Sequence, residues 1–240
     1  MSTVLTLAAP AAFAPAARAL AARYADATGV EVNVLLGPAS GGAANSVVSR
    51  LSSHPAPDVA LLPVPLLDTQ IAAGMLVTAG RVDVGQSLVA LCVMAGAPRP
   101  AVAAPEALRA TLLGARSIGI SALASGVFFR ETLLARLGLS DTVGPRCQVI
   151  TDGPVGQAVA QGRVEMGVQQ WSELLQQDGI EILDPLPDGF QGPTMIAAAA
   201  SPTGAARAPV AAFLRFLVGP EAAGCLYATG LSPVPADRLR

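Results

Sequence analysis

The feature that most constrains the fold of this chain is a repeated alternation of short apolar runs with helical patterns. Strands are predicted at Val4–Ala8, Val30–Leu36, Asp58–Leu62, Ser87–Met94, Ser117–Ile120, Gln148–Thr151, Val164–Val168, Ile180–Leu183 and Thr194–Ala200. Helices are predicted at Ala12–Ala27, Ser40–Ser53, Val64–Ala73, Pro105–Leu113, Gly126–Leu137, Val155–Gln161, Ser172–Gln177, Ala205–Val218 and Pro220–Ala228. Repeated units of this kind favour an α/β fold in which a mostly parallel sheet is flanked by helices.

The alternation is interrupted once, which predicts two lobes. Residues 80–99 carry strand signal without a helix, and the β-α pattern restarts at Pro105. A chain that leaves one lobe, builds a second and then returns gives this pattern. We therefore predict one lobe from residues 1–84 plus 194–240 and another from residues 85–193, with a ligand cleft between them. The hinge is expected near Asp83–Gln86 and Gln191–Thr194.

The ionisable side chains exclude several classes of protein. The chain has 240 residues, of which 52% are hydrophobic and 13% charged, so disorder is excluded. A net charge of −2 gives no basic field for a nucleic acid. All 15 basic residues are Arg, which excludes a Schiff-base lysine and a Walker-type phosphate loop. One histidine and three widely spaced cysteines leave no metal-binding pattern, so neither a metal nor a cofactor is expected.

The N-terminal residues 4–17 are small and apolar, but no positive charge precedes them, and Pro10 and Pro15 interrupt them. The sequence as it stands therefore predicts no export signal and a cytoplasmic location, or a periplasmic one if a signal peptide has been removed. No uninterrupted apolar run reaches about 18 residues, so no membrane span is predicted.

Four strand-to-helix loops share an unusual content of small residues, and three of them contain glycine. They comprise residues 8–11, 37–42, 122–126 and 151–156. Ligands of open α/β sheets bind beyond the carboxyl ends of the strands, where such loops lie. Helix N-termini offer unpaired N–H groups and partial positive charge there, so the set predicts an anion site that needs no lysine.

The order and spacing of several short motifs resemble the molybdate-binding branch of the solute-binding proteins of ABC transporters, over roughly residues 3–232. The motifs are Ala8-Ala9-Pro10-Ala11, Tyr24…Thr28-Gly29-Val30, Gly37…Ser40-Gly41, Pro57-Asp58-Val59-Ala60-Leu61-Leu62, Ser125-Gly126…Leu137-Gly138, Gly162…Met166-Gly167-Val168 and Phe216-Leu217…Gly219-Pro220-Glu221-Ala222-Ala223. The resemblance implies the two-lobe type II periplasmic-binding-protein fold.

The resemblance also implies which positions hold the ligand. The first loop's hydroxyl falls at Ala11, and the second loop's falls at Ser40, beside Gly41. The remaining positions fall at Ser125 and Gly126, at Pro154 and Val155, and, where the family has a tyrosine, at Gln170. Ala11 thus lacks a hydroxyl, and Gln170 replaces a phenol with an amide. An amide is both donor and acceptor, which suits a carboxylate or a larger organic acid.

Two functions follow from the resemblance. One is a binding protein that closes on a small oxyanion or a di- or tricarboxylate, with an ABC permease as partner if the chain is exported. The other is an isomerase resembling aconitate isomerase, which uses the same fold. That reaction needs a base near an acidic methylene and donors for the developing negative charge.

Two carboxylates follow predicted strands and are candidates for the base. Asp152 precedes Gly153-Pro154 and Glu173 follows Ser172, so either one also suits a helix start. His54 is less suitable: on a continuous helix from Ser40 it would lie about 20 Å from the helix start.

Three other side chains could contact the ligand. Asn45 lies early in the predicted helix that Ser40 begins. Arg130 could bind a carboxylate through two hydrogen bonds, or pair with Glu131. Trp171, the only tryptophan, either covers the ligand or fills the core.

Overall fold

The structure is a computed structural model that describes residues 4–233. Its strands are β1 Leu5–Pro10, β2 Val32–Gly37, β3 Val59–Pro63, β4 Val82–Ser87, β5 Val89–Met94, β6 Ile118–Ser121, β7 Cys147–Ile150, β8 Met166–Gln170, β9 Ile180–Ile182, β10 Thr194–Ala200 and β11 Leu231–Pro233.

The helices are short, and the longest has 15 residues. They are α1 Ala14–Thr28, α2 Val47–Leu51, α3 Val64–Ala72, α4 Pro105–Gly114, α5 Ala124–Val127, α6 Leu134–Arg136, α7 Ser140–Val143, α8 Val155–Ala160, α9 Trp171–Leu174, α10 Pro202–Ala205, α11 Ala208–Phe216 and α12 Pro220–Ala228. A π-helical stretch, Phe128–Leu133, joins α5 to α6, and 3-10 turns occupy Ala11–Phe13 and Gly144–Arg146.

The described chain forms two compact units, one from residues 4–87 and 194–233 and the other from residues 88–193. Unit 1 contains a six-stranded sheet in the order β11-β4-β10-β3-β1-β2. Its strand β1 is parallel to β2 and β3, whereas β10 is antiparallel to β3 and β4, and β11 is antiparallel to β4. The predicted lobe boundaries, hinge and cleft stay predictions.

Unit 2 contains a five-stranded sheet in the order β7-β6-β8-β5-β9. Its strand β6 is parallel to β7 and β8, whereas β5 is antiparallel to β8 and β9. The prediction of an α/β fold is confirmed, but the sheets are mixed where the sequence suggested mostly parallel ones. The parallel pairs come from β-α-β connections; β10, which enters unit 1 directly from unit 2, and β5, which follows β4 after one residue, have no such helix before them.

Both faces of each sheet are covered by apolar residues, as an α/β layer structure requires. Along β10, Ile196, Ala198 and Ala200 belong to one buried cluster of unit 1, and Ala197 and Ala199 belong to another. Along β5, Val89 and Cys92 likewise face opposite clusters of unit 2. Alternation of side chains across a strand explains why these runs are apolar throughout.

A buried ionic network ties the first strand of unit 1 to its third strand and its C-terminal helices. Asp58 Oδ2 accepts hydrogen bonds from the Thr6 backbone N–H and hydroxyl, at 2.8 and 3.0 Å. Arg207 pairs with Asp58 Oδ1 at 2.6 Å, and its second amino group donates to the Val4 carbonyl at 3.0 Å. The network lies before the start of β3, near the amino ends of the parallel strands β1 and β3.

Within residues 4–233, no single helix has both the length and the apolar character to cross a membrane. Helices α11 and α12 pass that test only when taken together, as a pair bent by 62°.

Candidate functional site

The candidate site of unit 2 lies where three neighbouring parallel strands end. The register pairs Ser121 at the end of β6 with Ile150 at the end of β7, and pairs Ile120 with Val168 of β8. The loops that follow these strands therefore emerge at one edge of the sheet. That edge brings together the predicted positions Ser125, Gly126, Pro154, Val155, Gln170 and Glu173.

Ser125 lies in the first turn of α5, with only 3% of its surface exposed. The next residue must be glycine, because a Cβ at Gly126 would overlap the carbonyl oxygen of Ser121. The turn is also fixed by a 3.0 Å hydrogen bond from the Leu123 N–H to the Ser121 hydroxyl. The strand end and the helix start are thus packed against each other with no room for a side chain.

A buried amide connects α8, β8 and α9. The N–H of Val155, the first residue of α8, donates to Gln169 Oε1 at 3.0 Å. The amide nitrogen of Gln169 is then left to donate, and Glu173 accepts a hydrogen bond from this side chain. Glu173 also accepts from the backbone N–H of Gln170, three residues before it, which is the return bond of a capping box.

Burial raises the pKa of the Glu173 carboxyl above its usual range, and the hydrogen bonds from Gln169 and Gln170 offset only part of this effect. A carboxyl that is partly withdrawn from water is a stronger base than an exposed one. Glu173 therefore binds a proton more readily than an exposed glutamate, which is the direction of pKa change seen in carboxylates that act as general bases.

The buried polar side chains of unit 2 are concentrated at this edge. Across residues 88–193 they are Ser125, Gln169, Gln170 and Ser172, each at most 9% exposed. All four lie at or just beyond the ends of β6 and β8. Polar groups are costly to bury, so their concentration at one end of the sheet marks a region built for polar contacts.

Asp152 does not share this environment. It is exposed, and Arg163 donates to both of its carboxylate oxygens at 3.1 and 2.9 Å. The hydrogen bond from Arg163 holds the pKa of Asp152 below its usual range. The expectation that Asp152 could cap the next helix is wrong, because the N-cap residue of α8 is Pro154.

The other two candidates of unit 2, Arg130 and Trp171, make an ion pair and a core contact, respectively. Arg130 is exposed in the π-helical stretch and lies 3.4 Å from the carboxylate of Glu131. Trp171 is half-buried and packs against the apolar cluster that contains Ala90, Ala158 and Leu174.

In unit 1, the carboxyl ends of β1 and β2 are adjacent, because Pro10 pairs with Gly37. Ala11 is exposed in the 3-10 turn that follows β1. A Cβ at Gly37 would overlap the carbonyl of Asn45, so the loop folds back tightly on the strand end. The loop is closed by a 2.8 Å hydrogen bond from the Val47 N–H to the Pro38 carbonyl.

The prediction that Ser40 begins a helix through Ser53 is wrong. Helix α2 begins at Val47, and its cap is the buried Ser46, whose hydroxyl accepts from the Ser49 N–H at 3.1 Å. Ser40 and Gly41 are exposed in the loop before it, and the Gly41 carbonyl accepts from the Ser46 hydroxyl at 3.2 Å. Gly41, with φ of +106°, and Gly42 leave the chain free to form this loop in place of a helical turn.

Two inferences that rested on this helix change with it. Asn45 is not within a helix but is an exposed loop residue whose carbonyl accepts from Arg50 Nε at 3.1 Å. His54 is exposed three residues beyond α2, so the distance of about 20 Å along a continuous helix does not apply.

Two glutamines at or near the site were missed by the sequence reasoning. The sequence pattern predicts Gln169 just after a strand, whereas it is buried within β8. Gln191 has both polar atoms of its amide buried without a hydrogen-bond partner among the described residues. The neighbouring Gly192 lies against the ring of Phe128, three residues after Ser125. A buried amide without partners costs about 1–3 kcal/mol, which makes Gln191 a further candidate for ligand contact.

Among residues 4–233, no cluster of three or more His, Cys, Asp or Glu side chains is arranged to hold a metal ion. The groups at the edge of unit 2 are hydroxyls, amides and one carboxyl. This set can donate hydrogen bonds to an anion and can accept a proton.

Known proteins are similar to this chain over nearly its whole length. An aconitate isomerase from Pseudomonas sp is 34% identical over 220 residues, which cover 92% of this chain and 84% of that protein. The substrate-binding domain attributed to a molybdenum ABC transporter of Clostridium difficile superposes with a TM-score of 0.80 at 16% identity, over 98% and 100% of the two chains. The periplasmic molybdate-binding protein of Azotobacter vinelandii superposes with a TM-score of 0.69 at 19% identity, over 96% and 99%.

The structural matches confirm the type II periplasmic-binding-protein fold that the motifs implied. The sequence profile of one family, described as bacterial extracellular solute-binding protein, matches residues 5–232. The chain belongs to the bacterial extracellular solute-binding protein family.

Proposed function

We propose that this protein binds a small organic carboxylate, of the di- or tricarboxylate class. The observation that carries the proposal is the pair of buried hydroxyl and amide groups at the ends of β6 and β8, namely Ser125 and Gln170. Neutral donors suit an anion that must be bound without lysine, because they form hydrogen bonds to it and leave no buried cation behind on its release.

The choice of carboxylate over molybdate rests on two departures from the molybdate-binding pattern. Ala11 contributes no hydroxyl in unit 1, and Gln170 presents an amide where that pattern has a phenol. An amide donates to one carboxylate oxygen and accepts from a hydroxyl or a protonated carboxyl, so it matches organic acids with several functional groups. The similarity to an aconitate isomerase supports the same class of ligand.

Thermal unfolding in the presence of single anions tests this proposal. Citrate, cis-aconitate and trans-aconitate should raise the Tm, because a ligand at about 100 times its Kd stabilises the folded state by about 2.7 kcal/mol. Ser125→Ala and Gln170→Leu should reduce the effect, whereas Ser140→Ala, an exposed serine of unit 2, should leave it unchanged. Stabilisation by molybdate or tungstate alone would refute a carboxylate ligand.

A second function, isomerisation of the bound carboxylate, is favoured by Glu173. The reaction would shift a double bond by proton transfer. Glu173 would take a proton from the methylene carbon next to the double bond, and the electron pair of the broken C–H bond would spread over the double bond and an adjacent carboxylate. Return of the same proton to the far carbon completes the shift without any oxidant or reductant.

The neutral donors of the site would stabilise the charge that develops in this step. Ser125 and Gln170 lie at the same edge as Glu173, so they can donate to the carboxylate that receives the electron density. A half-buried carboxyl with a raised pKa binds the abstracted proton more strongly than an exposed carboxyl, which favours its return to the substrate over its loss to water.

Interconversion of cis- and trans-aconitate, followed by absorbance or proton NMR, tests the second function. Glu173→Gln should lower kcat by about 100-fold or more, which is the contribution typical of a general base. Asp152→Asn is the matched control, and it should leave kcat within about twofold because Asp152 is exposed and ion-paired. Carboxylate binding without interconversion would leave only the first function.

The partner and location follow from which function holds. A binding protein of this family would deliver its ligand to an ABC permease outside the cytoplasm, whereas an isomerase could act in either compartment. Fractionation of cells that express the native gene distinguishes the two: recovery in the periplasmic fraction supports the permease as partner, and recovery in the cytoplasm contradicts it.

A further inference from the structure

We propose that Gln169 is a positioning residue, whose amide bridges the Val155 N–H and the Glu173 carboxylate and so holds the base in place. The inference rests on the proposed proton-transfer function of Glu173. Gln169 is 6% exposed, and its Oε1 atom is 3.0 Å from the Val155 nitrogen. Because the oxygen of the amide faces an N–H donor, its NH2 group is the end that faces the carboxylate.

The bridge joins three elements that are separate along the sequence. Gln169 lies near the end of β8, the central strand of its sheet, and Val155 begins α8. The N-cap of α8 is Pro154, which contributes no side-chain hydrogen bond, so a residue 14 positions away accepts from the first N–H of the helix. The position of Glu173 is thereby fixed to the most constrained strand of the unit.

Two hydrogen bonds restrict the Glu173 carboxylate. One comes from the Gln169 amide and the other from the Gln170 backbone N–H, which precedes α9. The second bond is the half of a capping box that ties Glu173 to the start of its own helix, and the N-cap side chain makes no reciprocal bond to α9. The first bond is therefore the one that a purely structural role of Glu173 does not explain.

The groups that face Glu173 do not compete with this bridge. Helix α9 packs against β5 and β8, and α8 packs against β8, β5, β6 and β9. Across these elements the titratable groups besides Glu173 are the Cys92 thiol, whose pKa burial raises to about 12, and Glu181 of β9, whose carboxylate accepts from the Gly96 N–H and pairs with Arg99. Cys92 thus remains protonated wherever Glu173 titrates, and changes at Gln169 can be attributed to the bridge.

The experiment compares the full-length protein with Gln169→Met, which keeps the length of the side chain but removes both hydrogen bonds. Trp171, the only tryptophan, lies two residues from Glu173, so its fluorescence reports the titration of that carboxyl without any need for activity. Loss of the transition in Glu173→Gln assigns it. Loss of the donor should move the midpoint of Gln169→Met to higher pH, because the bond favours the charged form.

Activity provides the second measurement. Gln169→Met should lower kcat about tenfold with a smaller change in KM, and should move the acid limb of the kcat/KM profile to higher pH. Gln148→Met, an exposed glutamine of β7, is the control and should leave both profiles unchanged. Gln169→Asn, which is one methylene shorter and cannot span the gap, replaces Gln169→Met if that variant fails to fold.

The outcomes separate the bridge from the function on which it rests. A wild-type protein without isomerase activity refutes the function, while the fluorescence midpoint still tests the bridge. An unchanged midpoint in Gln169→Met refutes the bridge. A shifted midpoint with unchanged kcat and pH profile refutes the positioning role.

Discussion

Removal of the Asp58 carboxylate should destabilise unit 1 more than the loss of any exposed ion pair. The side chain of Asp58 is 9% exposed and accepts from three donors: the Thr6 N–H, the Thr6 hydroxyl and Arg207. Asp58→Ala would leave these donors without an acceptor. The network joins β1, β3 and the loop before α11, so its loss affects elements from both ends of the chain.

The magnitude follows from burial. Removing one partner of a buried ion pair costs about 3–5 kcal/mol, because the remaining charge keeps its desolvation cost. The Arg207 side chain is 38% exposed and can recover some hydration, which places the expected loss near the lower limit, about 3 kcal/mol. For a chain of this length each kcal/mol lowers Tm by about 2–4 °C, so the expected decrease is about 6–12 °C.

Urea unfolding followed by circular dichroism measures this loss directly. Glu221→Ala is the matched control: Glu221 pairs with Arg23 at 3.1 Å, but both side chains are about half exposed. The control should lose less than about 1 kcal/mol. If the two variants differ by less than about 0.5 kcal/mol, the argument that burial makes the Asp58 network important is wrong.

Three further predictions concern the candidate site and its surroundings. Gly126→Ala should weaken ligand affinity at least tenfold, and so reduce the ligand-induced rise in Tm, because a Cβ there would overlap the Ser121 carbonyl. Gly42→Ala, with open space around it, should leave the affinity unchanged. The pKa of Glu173 is raised in the folded protein, so its contribution to the free energy of unfolding is present below the ordinary glutamate pKa and is lost as the pH rises through the pKa of the folded state. Between about pH 4 and about pH 7, the free energy of unfolding should therefore fall more for the wild type than for Glu173→Gln. The Cys92 thiol, with its pKa raised to about 12, should react with a disulfide reagent at about pH 8 only after unfolding, and rapid labelling of Cys92 in the folded protein would contradict its burial.

The sequence predicted the elements whose periodicity and end signals agree. The strand Thr194–Ala200 and the helix Pro220–Ala228 have the predicted boundaries, since the first is a continuous apolar run and the second begins with proline. The prediction of a helix from Ser40 is wrong because the same residue types, Ser and Gly, favour both helix starts and compact loops. The choice was decided by the burial of Ser46 and by backbone hydrogen bonds from Val47 and Val48 back to the loop, which no local pattern encodes.

The antiparallel strands of the two mixed sheets were not predicted for a different reason. Strand direction depends on the connection between two strands that pair in space, and β10 pairs with β3 and β4 across more than 100 residues of sequence. Local apolar runs specify that a strand exists, and β-α-β connections specify parallel neighbours. Neither signal gives the direction of a strand that returns from another unit.

At the candidate site, an error of two residues in one strand boundary concealed the most informative side chain. The predicted strand Val164–Val168 leaves Gln169 and Gln170 in a loop, where polar residues need no explanation, whereas the observed β8 buries both. A glutamine in a buried strand must find hydrogen-bond partners, and β8 itself uses its backbone groups for pairing with β5 and β6. The partner must then come from another element at the same edge, as Val155 does. Two consecutive glutamines at the end of an apolar run are therefore a signal in the sequence itself: if they belong to the strand, they predict a long-range amide contact where the neighbouring helix begins.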